Sequence, residues 1–119
     1  MKIAVTSTGK DLGSEVDPRF GRASYLLIVD SETLDFEVID NMENKDSFKG
    51  AGIQAAGLIS KSGAKILLTG YCGPNAFKAL KAAKIGVAND AKGTIKESVE
   101  AYMDGKLPLT DESNVKGHW

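Results

Sequence analysis

The stretch GYCGPNAF, residues 70–77, holds the single cysteine of the chain, Cys72, between Gly70 and Gly73 and just ahead of Pro74. A lone thiol in such a turn has four candidate uses: nucleophile, metal ligand, redox switch, or small filler of a tight bend. The following NAFKALKAAK is helical in pattern. Gly73 therefore suits a cap and Pro74 the first helical position, where a missing N–H removes no hydrogen bond. The amides at Asn75 and Ala76, with the helix dipole, favour an anion in front of this turn. The same field would lower the pKa of a thiol just outside the helix. Tyr71 adds an aromatic wall. Turn filler and thiol at the mouth of an anion site both stay open for Cys72.

A second cluster lies in VDPRFGRAS, residues 16–24. Arg19 and Arg22 flank Phe20 and Gly21, so two guanidiniums stand three residues apart around an aromatic ring and a flexible hinge. That mixture suits a large anion with hydrophobic faces. The opposing reading is a solvated loop with one arginine paired to Asp17. Phe20 tips the choice toward binding, because a polar loop gives it no evident structural task. STGKD, residues 7–11, resembles a phosphate loop but lacks the upstream glycine and the hydroxyl residue after lysine. Lys10 adds positive charge to the same turn and no more.

Other chemistry is thin. The one histidine, His118, sits in the C-terminal tail, so no His-centred triad can be assembled. The pairs Glu15 with Asp17 and Asp30 with Asp40 are ordinary loop and strand-end placements. One cysteine excludes an intrachain disulfide, a CxxC redox pair and a zinc site of several thiolates. With 15 basic and 16 acidic residues the net charge is −1, which argues against a nucleic-acid binder. No apolar segment reaches the ~20 residues needed to span a bilayer. The opening MKIAVTSTGK reads as a strand rather than a signal peptide, and a cytoplasmic location is expected.

The elements that must position these residues follow from periodicity. At 119 residues the chain suits one domain. Strands are expected at 2–6, 24–30, 35–40, 64–70 and 85–89. The link SETL is too short for a crossover, so the second and third strands should form an antiparallel hairpin. AGIQAAGLISKSG is a helix despite Gly50, Gly52 and Gly57, whose lack of side chains permits close packing. PNAFKALKAAK buries Ala76, Phe77, Leu80 and Ala83 and exposes a stripe of Lys78, Lys81 and Lys84. Thr94 and Glu97 form a T-x-x-E capping box opening IKESVEAYMDG, with Ile95, Val99, Tyr102 and Met103 as its stripe. Residues 107–119 read as a polar tail after a domain spanning 1–106. The order is an α/β domain with a mixed sheet of about five strands, and ligands in such sheets gather beyond the carboxyl ends of the parallel strands. There the turn at 7–23, GYCGPN, and NDAKG (89–93) should meet.

MKIAVTSTG, DPRFGRASYLLIVD, AGIQAAGLISKSGAKILLTGYCGPNAFKALKAAKIGV and GTIKESVEAYMDGKL together resemble, over almost the whole chain, the nitrogenase iron–molybdenum cofactor biosynthesis family, which includes NifX-like carriers. The short form ending in VKGHW is similar to the orange-protein branch found in sulfate-reducing bacteria. The resemblance implies a ribonuclease-H-like fold without nuclease activity. It also implies a non-covalently held molybdenum–copper sulfide cluster, or an iron–molybdenum cofactor precursor, and in some members work beside ParA/MinD-type ATPases. FGRA maps to Phe20–Ala23 and GPNAF to Gly73–Phe77. A sulfide-capped cluster has its metals already coordinated, so it needs cations, amide donors and apolar walls rather than a thiolate cage. Lys10, Arg19, Arg22, Phe20, Gly21, Tyr71, Gly73, Pro74 and the amides near Asn75 supply that mixture. Cys72 is the candidate metal contact, and Met42 and Met103 are further soft donors if they face the site.

The expected function is a non-enzymatic carrier or assembly protein for an anionic molybdenum-containing cluster, as a monomer or a cluster-linked dimer. The alternative is an adaptor for an ATPase, docking through the lysine stripe. An enzyme acting on a phosphorylated metabolite ranks last, since no base or nucleophile is evident. The residues Val115–Trp119 are a candidate lid.

Overall fold

The computed structural model describes residues 1–45 and 50–110. Strands β1 (Lys2–Ser7), β2 (Tyr25–Asp30) and β3 (Phe36–Asp40) are followed by a short helix α1 (Met42–Lys45) and by α2 (Ala51–Ser62). Then come β4 (Ile66–Leu68), α3 (Pro74–Ala82), β5 (Gly86–Ala88) and α4 (Ile95–Met103). One sheet results, ordered β3-β2-β1-β4-β5. β1 and β2 pair antiparallel with Lys2 opposite Asp30 and Ser7 opposite Tyr25, and β2 continues into the β3 hairpin. β1, β4 and β5 run parallel. This is the mixed sheet with an antiparallel hairpin edge that the sequence implies, flanked by helices. The short helix α1 lies between β3 and α2.

Alternation in the strands builds two cores. Ala4, Leu67 and Val87 face α2 and α3 together with Leu26, Ile28, Ile59, Phe77 and Leu80. Val5, Leu68 and Ala88 face the other way, onto Ile95 and Val99 of α4 with Leu27 and Val29. Completely burying a Leu or Ile side chain contributes about 1.5–3 kcal/mol, so these layers hold the sheet edge rigid enough to position loops. α4 opens with the full capping box: Glu97 N–H donates to Thr94 Oγ1 at 3.1 Å, and Thr94 N–H donates to Glu97 Oε1 at 2.9 Å. Met103 departs from the expected stripe and is half exposed.

Helix α3 ends sooner than its pattern suggests. Lys84 takes a left-handed φ of 61°, and Ile85 N–H donates to Leu80 O at 2.9 Å. Only Lys78 and Lys81 of the lysine stripe therefore lie on the helix. Beyond α4 the chain keeps to the sheet. Leu107 packs on the α4 core, and Thr110 N–H donates to Val87 O at 2.7 Å, so the segment read as tail begins as an added edge of β5. The lid expected from Val115 to Trp119, with His118, lies outside the described residues.

Candidate functional site

The carboxyl ends of the three parallel strands carry a polar row, Thr6, Thr69 and Asn89, all buried. Thr6 Oγ1 donates to Asp17 O at 2.6 Å and pairs with Thr69 Oγ1 at 3.0 Å, while Asp17 N–H donates to Thr6 O. These bonds tie the long turn after β1 to the sheet. The buried Asp17 carboxylate then accepts from Arg19 N–H at 3.0 Å, and its Oδ1 lies 3.5 Å from Arg19 Nε. Two further bonds lace this turn to the one after β4: Tyr71 N–H to Pro18 O at 2.8 Å and Phe20 N–H to Tyr71 O at 3.2 Å. A Cβ at Gly70 would lie 2.6 Å from Pro18 Cα, Cβ and O, so only glycine admits this crossing. Val16 N–H donates to Gly93 O at 2.9 Å, which brings in the turn after β5. The three turns meet as the topology requires.

Beside them a cleft of about 160 Å³ is lined by Phe20, Arg22, the stretch 50–53, Gly73, Asn75 and Ala76. That is below the ~300–1,000 Å³ of ordinary organic-ligand pockets. Two helix N-termini open onto it. α2 is capped by Gly50 at φ 75° and α3 by Gly73, and neither cap offers a side-chain hydrogen bond. α4, away from the cleft, has its first turn closed by the capping box. The contrast matters because, among the described residues, no side chain caps α2 or α3, and both helix dipoles are directed at the cleft that Arg22 lines.

Small residues make the convergence possible. Gly21 has φ 90°, and a Cβ there would stand 2.9 Å from Gly52 Cα and N. A Cβ on Gly52 would in turn meet Ala76 Cβ at 2.8 Å. The arginine loop, α2 and α3 thus touch through Gly21, Gly52 and Ala76.

The structure sorts the expected site residues. Phe20, Arg22, Gly73 and Asn75 line the cleft, Pro74 takes the first position of α3, and Gly21 packs directly behind. Arg19 and Tyr71 form the neighbouring bridge without lining the cavity, and Arg19 carries the ion pair with Asp17. Phe20 is 3 % exposed and belongs to the α2–α3 core, so the reading of an exposed ring without a structural task is corrected. Lys10 stands 5.5 Å over the Tyr25 ring, and Tyr25 packs on the α4 side of the sheet, so Lys10 does not reach the cleft. Met103 borders a surface groove with Leu34 and Val99 on that same side.

Cys72 does not line the cleft. Its side chain is wholly buried in the α2–α3 core, with Sγ 3.6 Å from Gly73 O, and burial pushes the thiol pKa up to about 12. The helix field does not prevail, because the side chain points into the apolar layer and desolvation opposes the thiolate. Among the described residues no three His, Cys, Asp or Glu side chains converge as a metal site. The start of α2 was missed as a wall. Its signal was the glycine pair Gly50 and Gly52, which the sequence reading assigned to helix packing alone.

A family model described as dinitrogenase iron–molybdenum cofactor matches residues 1–105. The chain belongs to that family. Within reach of this iron–molybdenum cofactor family chain is the apo orange protein from Desulfovibrio gigas, whose structure superposes with a TM-score of 0.93 at 45 % identity, covering 96 % of each chain. A candidate NifB protein from Thermotoga, solved by NMR, matches with a TM-score of 0.80 at 34 % identity over 96 % of this chain and 98 % of that one. An uncharacterized protein of Methanocaldococcus jannaschii is 28 % identical over 109 residues, 90 % of this chain and 89 % of its own. The fold described above is thus the fold of this family. No helix among the described residues is long and apolar enough to cross a membrane.

Proposed function

We propose that this chain is a non-enzymatic carrier or assembly protein that holds an anionic molybdenum-containing metal–sulfur cluster in the cleft between the Arg22 loop and the starts of α2 and α3. The observation that carries the reading is the convergence of two helix N-termini without side-chain caps on one small cleft beside Arg22 and the Phe20 ring. A cluster whose metals are already bound by sulfide needs charge, amide donors and an apolar wall, and these residues offer all three. Among the described residues that line the cleft, the charged side chain is that of Arg22. The likeness to the orange protein favours a molybdenum–copper sulfide cargo, and the family supports an iron–molybdenum cofactor precursor as the other form.

The test is reconstitution. Purified chain mixed with tetrathiomolybdate and a copper salt is expected to acquire visible charge-transfer bands at a fixed stoichiometry and retain them through gel filtration. Protein that elutes colourless, or an Arg22→Ala variant that develops full colour at the native stoichiometry, would count against the reading.

A further inference from the structure

Neither Asn41 nor Asn44 lines the cleft, yet between them they touch both of its walls. Asn41, 1 % exposed, follows β3 directly and donates its own N–H to Ser24 O at 2.9 Å. Its Nδ2 donates to Ala23 O at 2.8 Å and to Gly21 O at 3.3 Å, the carbonyls on either side of Arg22. Its Oδ1 accepts from Asn44 Nδ2 at 3.0 Å. Asn44 Nδ2 makes a second, longer contact of 3.4 Å to the carbonyl oxygen of Ala51, the first residue of α2. Asp40 starts α1 by accepting from Met42 N–H at 2.8 Å, at the head of the single helical turn that carries Asn44.

We propose that Asn41 and Asn44 are positioning residues: a strap that couples the backbone around Arg22 to the first turn of α2 and so sets the width of the cleft. The proposal rests on the cluster-binding reading for its functional consequence. The chemistry requires amides at both places. The partners are carbonyl oxygens, so a carboxylate would set acceptor against acceptor, whereas the Asn41 side chain spends both Nδ2 hydrogens on the loop and keeps Oδ1 for Asn44. Buried in a low-dielectric setting, such a chain of bonds moves as a unit. Gly21 and Gly52 already touch, so a shift of one wall displaces the other unless the strap holds the register.

The experiment uses the full chain and two readouts. Asn44→Ala, at a half-buried position, removes the link and leaves Asn41 on the loop. It is expected to bind tetrathiomolybdate about three- to tenfold more weakly, the effect of one or two ordinary hydrogen bonds. Amide exchange should accelerate together at Arg22 and at Gln54, whose N–H groups donate to Arg19 O and Gly50 O, with protection in β1 and β4 unchanged. Asn41→Ala is expected to show the same pattern more strongly. Exchange that rises on one wall only, or uniformly over the sheet, overturns the strap; so does Asn44→Ala binding within twofold of native. If the native chain fails to bind tetrathiomolybdate while exchange at the two walls remains coupled, the cargo reading fails and the strap stands.

Discussion

Replacing Gly21 by alanine should damage the fold, whereas replacing Gly57 should improve it. Gly21 lies at φ 90°, where a Cβ costs roughly 1–2 kcal/mol before any contact is considered. That Cβ would also sit 2.9 Å from the Cα and N of Gly52, backbone atoms of a packed helix that cannot swing aside. Overpacking of this kind costs about 1–3 kcal/mol, so the sum is about 2–5 kcal/mol. At about 2.1 cal/mol/K per residue the unfolding entropy makes 1 kcal/mol worth roughly 4 °C here, giving a Tm lower by roughly 8–20 °C. Gly57 is exposed within α2, and nothing lies within 4 Å of a Cβ built there. Its alanine variant gains helix propensity of about 0.8–1 kcal/mol and should melt roughly 3–4 °C higher. Thermal melts followed by circular dichroism decide the matter. A Gly21→Ala protein as stable as native would mean that the loop and α2 are not in contact, and the cleft as described would not exist.

Arg22→Ala should weaken tetrathiomolybdate binding by about tenfold or more through loss of a charged donor, while Arg19→Ala changes it by less than threefold, as read by optical titration at fixed ionic strength. Cys72 should resist alkylation at pH 8 in the native protein and react fully in denaturant, as a buried thiol with its pKa near 12 requires. Because that folded value lies above the ordinary thiol value of 9.0, the thiol's contribution to stability is complete below about pH 9 and falls away as the pH rises toward 12; denaturant midpoints for native and Cys72→Ala chains should converge across that window. Thr94→Ala should lower stability by about 1 kcal/mol through loss of the α4 cap, measured by urea unfolding. Glu97, held below the ordinary carboxylate range by the Thr94 backbone and side-chain bonds, should lose its capping contribution only as the pH falls through that lowered value.

Much of the architecture was legible because its signals are local. The alternation of Ile3 and Val5, the short SETL link, Pro74 after Gly73 and the Thr94–Glu97 box each fix an element without help from distant residues. The positions of the loops at the carboxyl edge followed from topology. What the pattern could not carry was direction within a loop. Phe20 and Cys72 have no periodic neighbours to show that they point inward, so Phe20 reads as a ligand wall and Cys72 stays undecided between turn filler and ligand contact. Lys10 is close in sequence to the site and on the wrong side of the sheet, because the turn after β1 folds over Tyr25. The start of α2 at Ala51 is far along the chain from Gly21, and only a three-dimensional contact between two glycines makes it a wall. Of two arginines with equal claims, Arg19 pairs with the buried Asp17 carboxylate away from the cavity, whereas Arg22 lines the cleft, and nothing in the local sequence distinguishes the two.

The account turns on a negative guest being gripped by the first turns of α2 and α3. Amide chemical shifts of isotope-labelled chain, followed during titration with tetrathiomolybdate and copper, address this directly. The account predicts the largest changes at Ala51, Gly52, Ile53, Asn75 and Ala76 together with Arg22, saturating as the colour develops. Colour that saturates while those amides stay still, with the changes gathered instead around Lys10 or the α4 face, would contradict it.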